Sequence, residues 1–370
     1  AFGTSALQLN TTASNNTAIG YTSMFANTTG DFNTAIGSGA LFSNTTGSSN
    51  SAAGLRALQA NTTGSFNTAT GAKALINNTT GSVNTAFGAN ALISNITGNN
   101  NTATGTNSLF LNTTGYSNTT TGSNSLFNNT TGYSNTANGD SALYFNTTGI
   151  YNTANGYQAL YSTNVGSGNT SIGNQSMYYN TSGSYNTANG HQALSNNTTG
   201  VTNTALGAYA LSTNTTGSNN IGVGYNAQVP FINGNNQVRI GDMNISYAGV
   251  QVAWTITSDK RLKSDIENST LGLDFIARLR PVSYLRNNDE NKKPEFGFIA
   301  QEVEEALNAS GESNAGMVSK DDKGIYSIRY NDLIAPLVKA VQEEHKIILE
   351  QNKKIEKQQQ EIDKLKEKNK

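Results

Sequence analysis

The chain has 370 residues, a formal net charge of −1, two His, four Pro, 37 Gly and no Cys, so it holds neither a disulfide framework nor a thiol nucleophile. Of its 23 basic and 24 acidic residues, only Asp31, Arg56, Lys73, Asp140 and Arg239 fall within 1–241. A segment so poor in Lys and Arg excludes nucleic acid as a partner. No apolar run reaches the roughly 18 residues of a membrane span, which excludes membrane insertion.

The first 241 residues are a repeat. NTAIG at 16–20 returns at 33–37, and its glycine recurs every 17 residues from Gly3 through Gly20, Gly37 and Gly54 to Gly241. A second glycine column runs from Gly30 through Gly47 and Gly64 to Gly234. Repetition of this kind predicts a solenoid. Each unit reads roughly NTAxGxxALxxNTTGxx: two short β-compatible segments and two turns at which Gly supplies the backbone angles. Two glycines with several Asn and Thr per unit disfavour a helix. Coils stacked at about 4.8 Å would make a rod. The chain opens on AFG, the end of a unit, and reads as part of a longer protein with a further N-terminal part or attachment partner.

The columns separate inside from outside. Leu or Met recurs at Leu7, Met24, Leu41, Leu58 and onward to Leu211, preceded by Ala or Ser and followed by Phe25, Phe42, Ile76, Phe110, Phe127, Tyr144, Tyr161 and Tyr178. Adjacent strand residues face opposite sides, so the Leu column is expected inside the coil and the aromatic one between chains. One bulky apolar column per coil is thin for a monomer and favours a homotrimer. The NTAxG units resemble the head repeats of trimeric autotransporter adhesins, which implies a trimeric parallel β-roll.

The many N-x-T sequences match glycosylation acceptors, but their period predicts stacked Asn and Thr ladders instead. A calcium-binding roll needs regular Asp, and only Asp31 and Asp140 occur, so no metal and no cofactor is expected. The same scarcity of carboxylates leaves a polysaccharide-degrading spike without support. Tyr116, Tyr133, Tyr151, Tyr157, Tyr161, Tyr178, Tyr179 and Tyr185 offer rings either to a host-surface glycan or to a trimer interior.

The pattern dissolves through a connector at 242–257, and the composition changes at Ser258. Leu271, Phe275, Ile276 and Leu279 at helical spacing predict a helix ended by Pro281. EFGFIAQ is strand-like and runs into a helix that stops before Gly311, and GIYSIRY alternates as a half-buried strand. Asn331 or Asp332 can cap a final helix. There Ile334, Val341, Ile348, Ile355 and Ile362 recur every seven residues, a coiled-coil seam compatible with three strands.

SDKRLK at 258–263 taken alone reads as a helix start: Ser258 caps it, Asp259 sits at its positive end, and Lys260, Arg261 and Lys263 point into solvent. The longer context changes that reading. SDKRLKSDI (258–266), LRPVSYL (279–285), FGFIAQEVEEAL (296–307) and YNDLIAPLVKAVQEEHKII (330–348) together resemble the intramolecular chaperone domain of phage endosialidase tail spikes and related tail fibres. The segment after AQEV lacks a proline often found in that family.

The resemblance implies a trimeric chaperone that releases itself by a single-turnover, serine-type cut between Thr257 and Ser258. Ser258 would be the nucleophile and Lys263 its base, with Asp259 orienting the site and no external substrate. A serine needs an adjacent base, and neither His191 in the repeats nor His345 in the last helix is placed to be one. Five residues along a regular helix would turn Lys263 about 140° from Ser258, so the pair needs a loop here or a Lys from a neighbouring chain.

The expected organisation is therefore mainly β: a solenoid shaft at 1–241, the connector at 242–257, a small α+β chaperone and autoprotease domain at 258–332, and a coiled coil at 333–370. The expected protein is an extracellular phage or phage-like tail fibre. The alternative is a bacterial surface adhesin or receptor-binding fibre that keeps the chaperone.

Overall fold

The computed structural model describes residues 1–252, 254–287, 292–313 and 315–368. They divide into two compact units, 1–243 and 244–370.

In the first unit, strands of three residues run from β1 (Thr17–Ile19) to β14 (Val238–Ile240), stacked in chain order as one parallel sheet among the described residues. The register advances by one repeat, with Thr17 opposite Thr34, Ala18 opposite Ala35 and Ile19 opposite Ile36. This is the expected parallel solenoid, corrected in one respect: each repeat holds one strand rather than two. The segment with Ala and Leu is a turn in which alternate residues are left-handed, as at Gly88 (φ +137°), Asn90 (φ +58°) and Leu92 (φ +52°). Branching at Cβ is disfavoured in that conformation. The rule explains why the buried column holds Leu and Met and never Val or Ile.

The two glycine columns have different causes. Gly88 belongs to the column of large positive φ, whereas Gly47, in the second column, is not left-handed. A Cβ on Gly47 would stand 2.3 Å from the carbonyl oxygen of Gly64 in the next coil. Glycine there permits close stacking rather than an unusual backbone angle.

The interior is filled from within one chain. Ala35, Ala40 and Leu41, and their counterparts along the shaft, are fully buried. Two further interior columns are Asn. The Asn44 side-chain amide donates to Asn27 Oδ1 (2.7 Å) and to the Gly47 carbonyl (2.9 Å). In the second ladder, the Asn50 backbone amide donates to Asn33 Oδ1 at 2.9 Å, and its side-chain amide donates to the Gly64 carbonyl at 2.9 Å. An unpartnered buried amide would cost about 1–3 kcal/mol; here each coil satisfies its neighbour. Thr45 Oγ1 adds a bond to the Thr62 carbonyl at 3.0 Å. The expected ladders are present, and they bury the Asn27, Asn44 and Asn61 side chains of N-T-T triplets that would otherwise accept sugar.

The aromatic column is half-buried by its own neighbours. Phe110, Phe127, Tyr144, Tyr161 and Tyr178 stack coil on coil, with centroids 4.7 Å apart for the first pair and 5.0 Å for the last. Tyr116 stacks on Tyr133 at 4.6 Å. Rings stacked this way turn their faces to one another and their edges outward.

The second unit has a compact α+β core. Helix α1 (Leu273–Arg278) is followed by the hairpin β15 (Val282–Tyr284) and β16 (Glu295–Gly297), then α2 (Ala300–Ala309), the hairpin β17 (Val318–Lys320) and β18 (Tyr326–Ile328), and the 35-residue α3 (Ile334–Lys368). Phe275, fully buried, is the centre of a cluster with Leu271, Val303, Ala306, Leu307 and Met317.

Helix α1 starts at Gly272 without a side-chain cap of its own. Glu343 of α3 supplies one by accepting the Leu273 amide at 2.7 Å, which holds its carboxyl below the usual range. Lys339 of α3 donates to the carbonyls of Ser269 and Thr270 beside it. Neither Asn331 nor Asp332 caps α3 as expected. A 3₁₀ turn at Tyr330–Leu333 leads into the helix, and Asp332 pairs with Arg329 at 2.6 Å. Along α3 the seam residues Ile334, Val341, Ile348, Ile355 and Ile362 are exposed.

Candidate active site

Ser258 is followed by a single tight turn. Asp259, itself extended (φ −66°, ψ 135°), caps the 3₁₀ turn Lys260–Leu262. The Leu262 amide donates to the Asp259 carbonyl and the Lys263 amide to the Lys260 carbonyl, both at 3.1 Å. Lys263 then returns to extended backbone (φ −127°, ψ 138°). One 3₁₀ turn between two extended residues removes the rotation that a regular helix would impose. Lys263 Nζ donates to Ser258 Oγ at 2.6 Å within the same chain. A loop within one chain brings the pair together.

Asp259 is held within its own turn. Its Oδ1 accepts the Arg261 amide at 2.8 Å, and its two oxygens take the Arg261 guanidinium, closest at Nη2–Oδ2, 2.7 Å. The guanidinium first, and the backbone bond second, hold the Asp259 carboxyl below the usual carboxylate range. Asp259 therefore fixes the shape of the turn that presents Lys263. Arg261, read from the sequence as a solvent residue, is the partner that closes the clamp. The Asp-x-Arg spacing was the available signal, and it gains meaning only once the turn is known to be 3₁₀.

The histidines lie elsewhere. His191 packs edge-on against Tyr209 in the shaft, ring centroids 5.1 Å apart, and His345 is exposed on α3. Thr257, Ser258 and Lys263 are all exposed in the single chain. A hydroxyl hydrogen-bonded to an amine, next to a peptide carbonyl, is the constellation needed for nucleophilic attack by serine. Exposure leaves both the hydroxyl and the amine open to solvent in the single chain.

Residues 258–312 match the family model described as the chaperone of endosialidase. The matched segment begins on Ser258, the residue that Lys263 contacts. Comparisons with curated proteins and with solved structures found no match. The family match together with the β-solenoid shaft fits a tail-spike or tail-fibre protein that carries an endosialidase-type chaperone domain. No described helix is long and apolar enough to cross a membrane.

Proposed function

We propose that this chain is the distal part of an extracellular homotrimeric tail fibre whose C-terminal unit aligns three chains, drives their folding and then severs itself between Thr257 and Ser258. The observation that carries the reading is the 2.6 Å contact of Lys263 Nζ with Ser258 Oγ. It stands where a chaperone-of-endosialidase segment begins. The exposed seam of α3 supports the trimer, since isoleucines seven residues apart on one face have no partner in their own chain. A shaft of near-identical coils supports the need for alignment, because a slip of 17 residues leaves almost the same pattern.

The chemistry balances with the residues of one chain and a water molecule. Lys263 takes the hydroxyl proton as Ser258 Oγ attacks the Thr257 carbonyl carbon. The Thr257–Ser258 C–N bond breaks, and the proton passes to the departing α-amine of Ser258. An ester then joins Thr257 to Ser258 Oγ. Water hydrolyses it, leaving a Thr257 carboxylate and a new N-terminus at Ser258. The reaction turns over once, and loss of the folding aid makes the shaft's unfolding practically irreversible, a kinetic form of stability.

Expression of residues 1–370 with intact-mass analysis tests this. The expected result is a fragment starting at Ser258, absent from Ser258→Ala and Lys263→Ala. A full-length product from a chain that sediments as a trimer would overturn self-cleavage and leave the unit as a permanent clamp.

A further inference from the structure

One stretch of the shaft repeats more closely than its columns require. YNTANGYQAL at 151–160 returns two coils later, at 185–194, as YNTANGHQAL, and YNTANG occurs nowhere else in the chain. In each copy alternate residues are exposed: Tyr151, Thr153 and Asn155 in the first, Tyr185, Thr187 and Asn189 in the second. The residues between them are buried. The two tyrosines are 60% and 70% exposed. Two coils at the strand spacing set them roughly 9.6 Å apart along the shaft.

The coil between the tyrosines is cut back. Its residue in the same column is Gly168, at φ +68°. Ser134 (φ +55°) and Thr202 (φ +57°) adopt a similar angle in that column, so the backbone does not demand glycine. What glycine removes is a side chain, since a Cβ at 168 would stand 2.7 Å from Cδ1 of Tyr185. The Tyr185 ring therefore leans over Gly168 and remains largely open to solvent. Tyr151 is braced edge-to-face by Tyr133, with ring centroids 5.4 Å apart. Both rings are held without being covered.

The surrounding chemistry selects the occupant. Between Lys73 and Arg239 the one Asp, Glu, Lys or Arg is Asp140, so an anionic polymer meets no cation to pair with. Unlike the laddered Asn of the interior, the side-chain amides of Asn155 and Asn189 have no partner among the described residues. Each offers two donors and an acceptor. The face of a tyrosine ring is its electron-rich side and attracts the C–H face of a hexose. A nearby amide can then bond the sugar's hydroxyls. A second copy of the chain suits this surface less. Parallel shafts would need an apolar residue at every coil, and the column reads Ser117, Ser134, Tyr151, Gly168, Tyr185, Thr202.

We infer that Tyr151 with Asn155, and Tyr185 with Asn189, are two subsites of one binding strip for an uncharged polysaccharide. The polymer lies along the shaft, and alternate sugars of its extended chain stack on the two rings. The strip gives the fibre a recognition surface and requires neither the trimer nor the cut proposed above.

Calorimetric titration of the full chain with neutral glucan, mannan, galactan and N-acetylglucosamine oligomers, each long enough to span both rings, tests the strip. An alginate oligomer serves as the anionic control. At least one neutral oligomer is expected to bind, and alginate is not. Tyr151→Ala and Tyr185→Ala should each weaken binding at least tenfold, and Gly168→Ser, which displaces the Tyr185 ring, severalfold. Tyr151→Phe and Tyr185→Phe keep the rings and should stay within threefold of the natural chain. Tyr21→Ala, at a tyrosine 63% exposed in another column, should change nothing. Equal affinity in the Ala variants overturns the strip, and preference for alginate overturns the uncharged class. Binding of no neutral oligomer overturns the inference altogether. Loss of self-association in Tyr185→Ala would instead assign the face to copies of the chain and overturn it as well.

Discussion

The shaft and the C-terminal unit solve the same problem, how to bury a chain that is short of large apolar residues, in opposite ways. Along the shaft every coil hands its polar groups to the next: Asn44 to Asn27, Asn61 to Asn44, Thr45 to the Thr62 carbonyl. Small Ala side chains and one Leu per coil then suffice, because the buried Asn ladders pair their polar groups coil by coil, Asn146 Oδ1 excepted. The C-terminal unit has one small cluster around Phe275 and displays Trp254, Ile334, Val341 and Ile348 to solvent. The first unit is finished by repetition within a chain. The second carries its unfinished surfaces on the outside, which suits a device that works only when copies meet. Stability is spread in one and concentrated in the other.

Concentration gives the largest expected effect. Phe275→Ala removes the centre of the C-terminal cluster and should cost about 3–5 kcal/mol. A unit with so small a core would lose its folded state, while the shaft, whose coils depend on nearest neighbours, would persist. Limited proteolysis should digest residues after 244 and spare the repeats. Equal protection of both regions would mean that the core does not rest on Phe275.

The shaft is broken more subtly, by conformation rather than volume. Leu92→Ile keeps the atoms but places a branched Cβ at φ +52°, and should cost about 1–3 kcal/mol. Leu92→Met, which copies Met24 and Met177 of the same column, should cost less than about 1.5 kcal/mol. Hydrogen exchange of the amides around residue 92 reads the difference. Similar protection in the two variants would show that the turn relaxes around the side chain.

Much of this was legible in the sequence. The period, the buried Leu column, the ladders and the second unit's helices follow from composition and spacing, because repetition reports each position's environment many times over. The single strand per repeat was not legible. Gly-x-x-Ala-Leu has no turn signature beyond its glycine, and the left-handed Leu shows only as the absence of Val and Ile. At the site, Ser258 and Lys263 were named through a resemblance, while helix geometry argued against their meeting. The 3₁₀ turn that joins them depends on Asp259 and Arg261, whose pairing no periodicity announces.

A flaw in one ladder allows a smaller, stabilising change. Thr163 occupies the column of Asn146 and Asn180 and cannot reproduce the amide, so Asn146 Oδ1 is buried without a partner. Asn180 reaches Thr163 Oγ1 only at 3.4 Å. Thr163→Asn should restore both bonds and gain about 1 kcal/mol, seen as slower amide exchange in the coils on either side. Unchanged or faster exchange would mean that a water or a local shift already satisfies Asn146.

The smallest effect expected in energy lies at the site and tests how its turn is held. The Arg261 guanidinium lowers the Asp259 carboxyl from its ordinary 3.8, so the clamp contributes fully above that value and is lost as pH falls through the lowered one. Carboxyl chemical shifts in Ser258→Ala should show Asp259 titrating below the ordinary value, and Arg261→Ala should return it upward. Both groups are exposed, so the change in global stability should be too small to measure. The consequence should appear in geometry. Without the clamp the turn loses the bonds that fold Lys263 back to Ser258, and cleavage by Arg261→Ala should slow severalfold without loss of fold. Asp259→Asn keeps an oxygen for the Arg261 amide and should fall between that variant and the natural chain. If Arg261→Ala cleaves at the natural rate while Asp259 has shifted as expected, the loop holds its shape by backbone bonds alone, and the ion pair is an ornament of the surface.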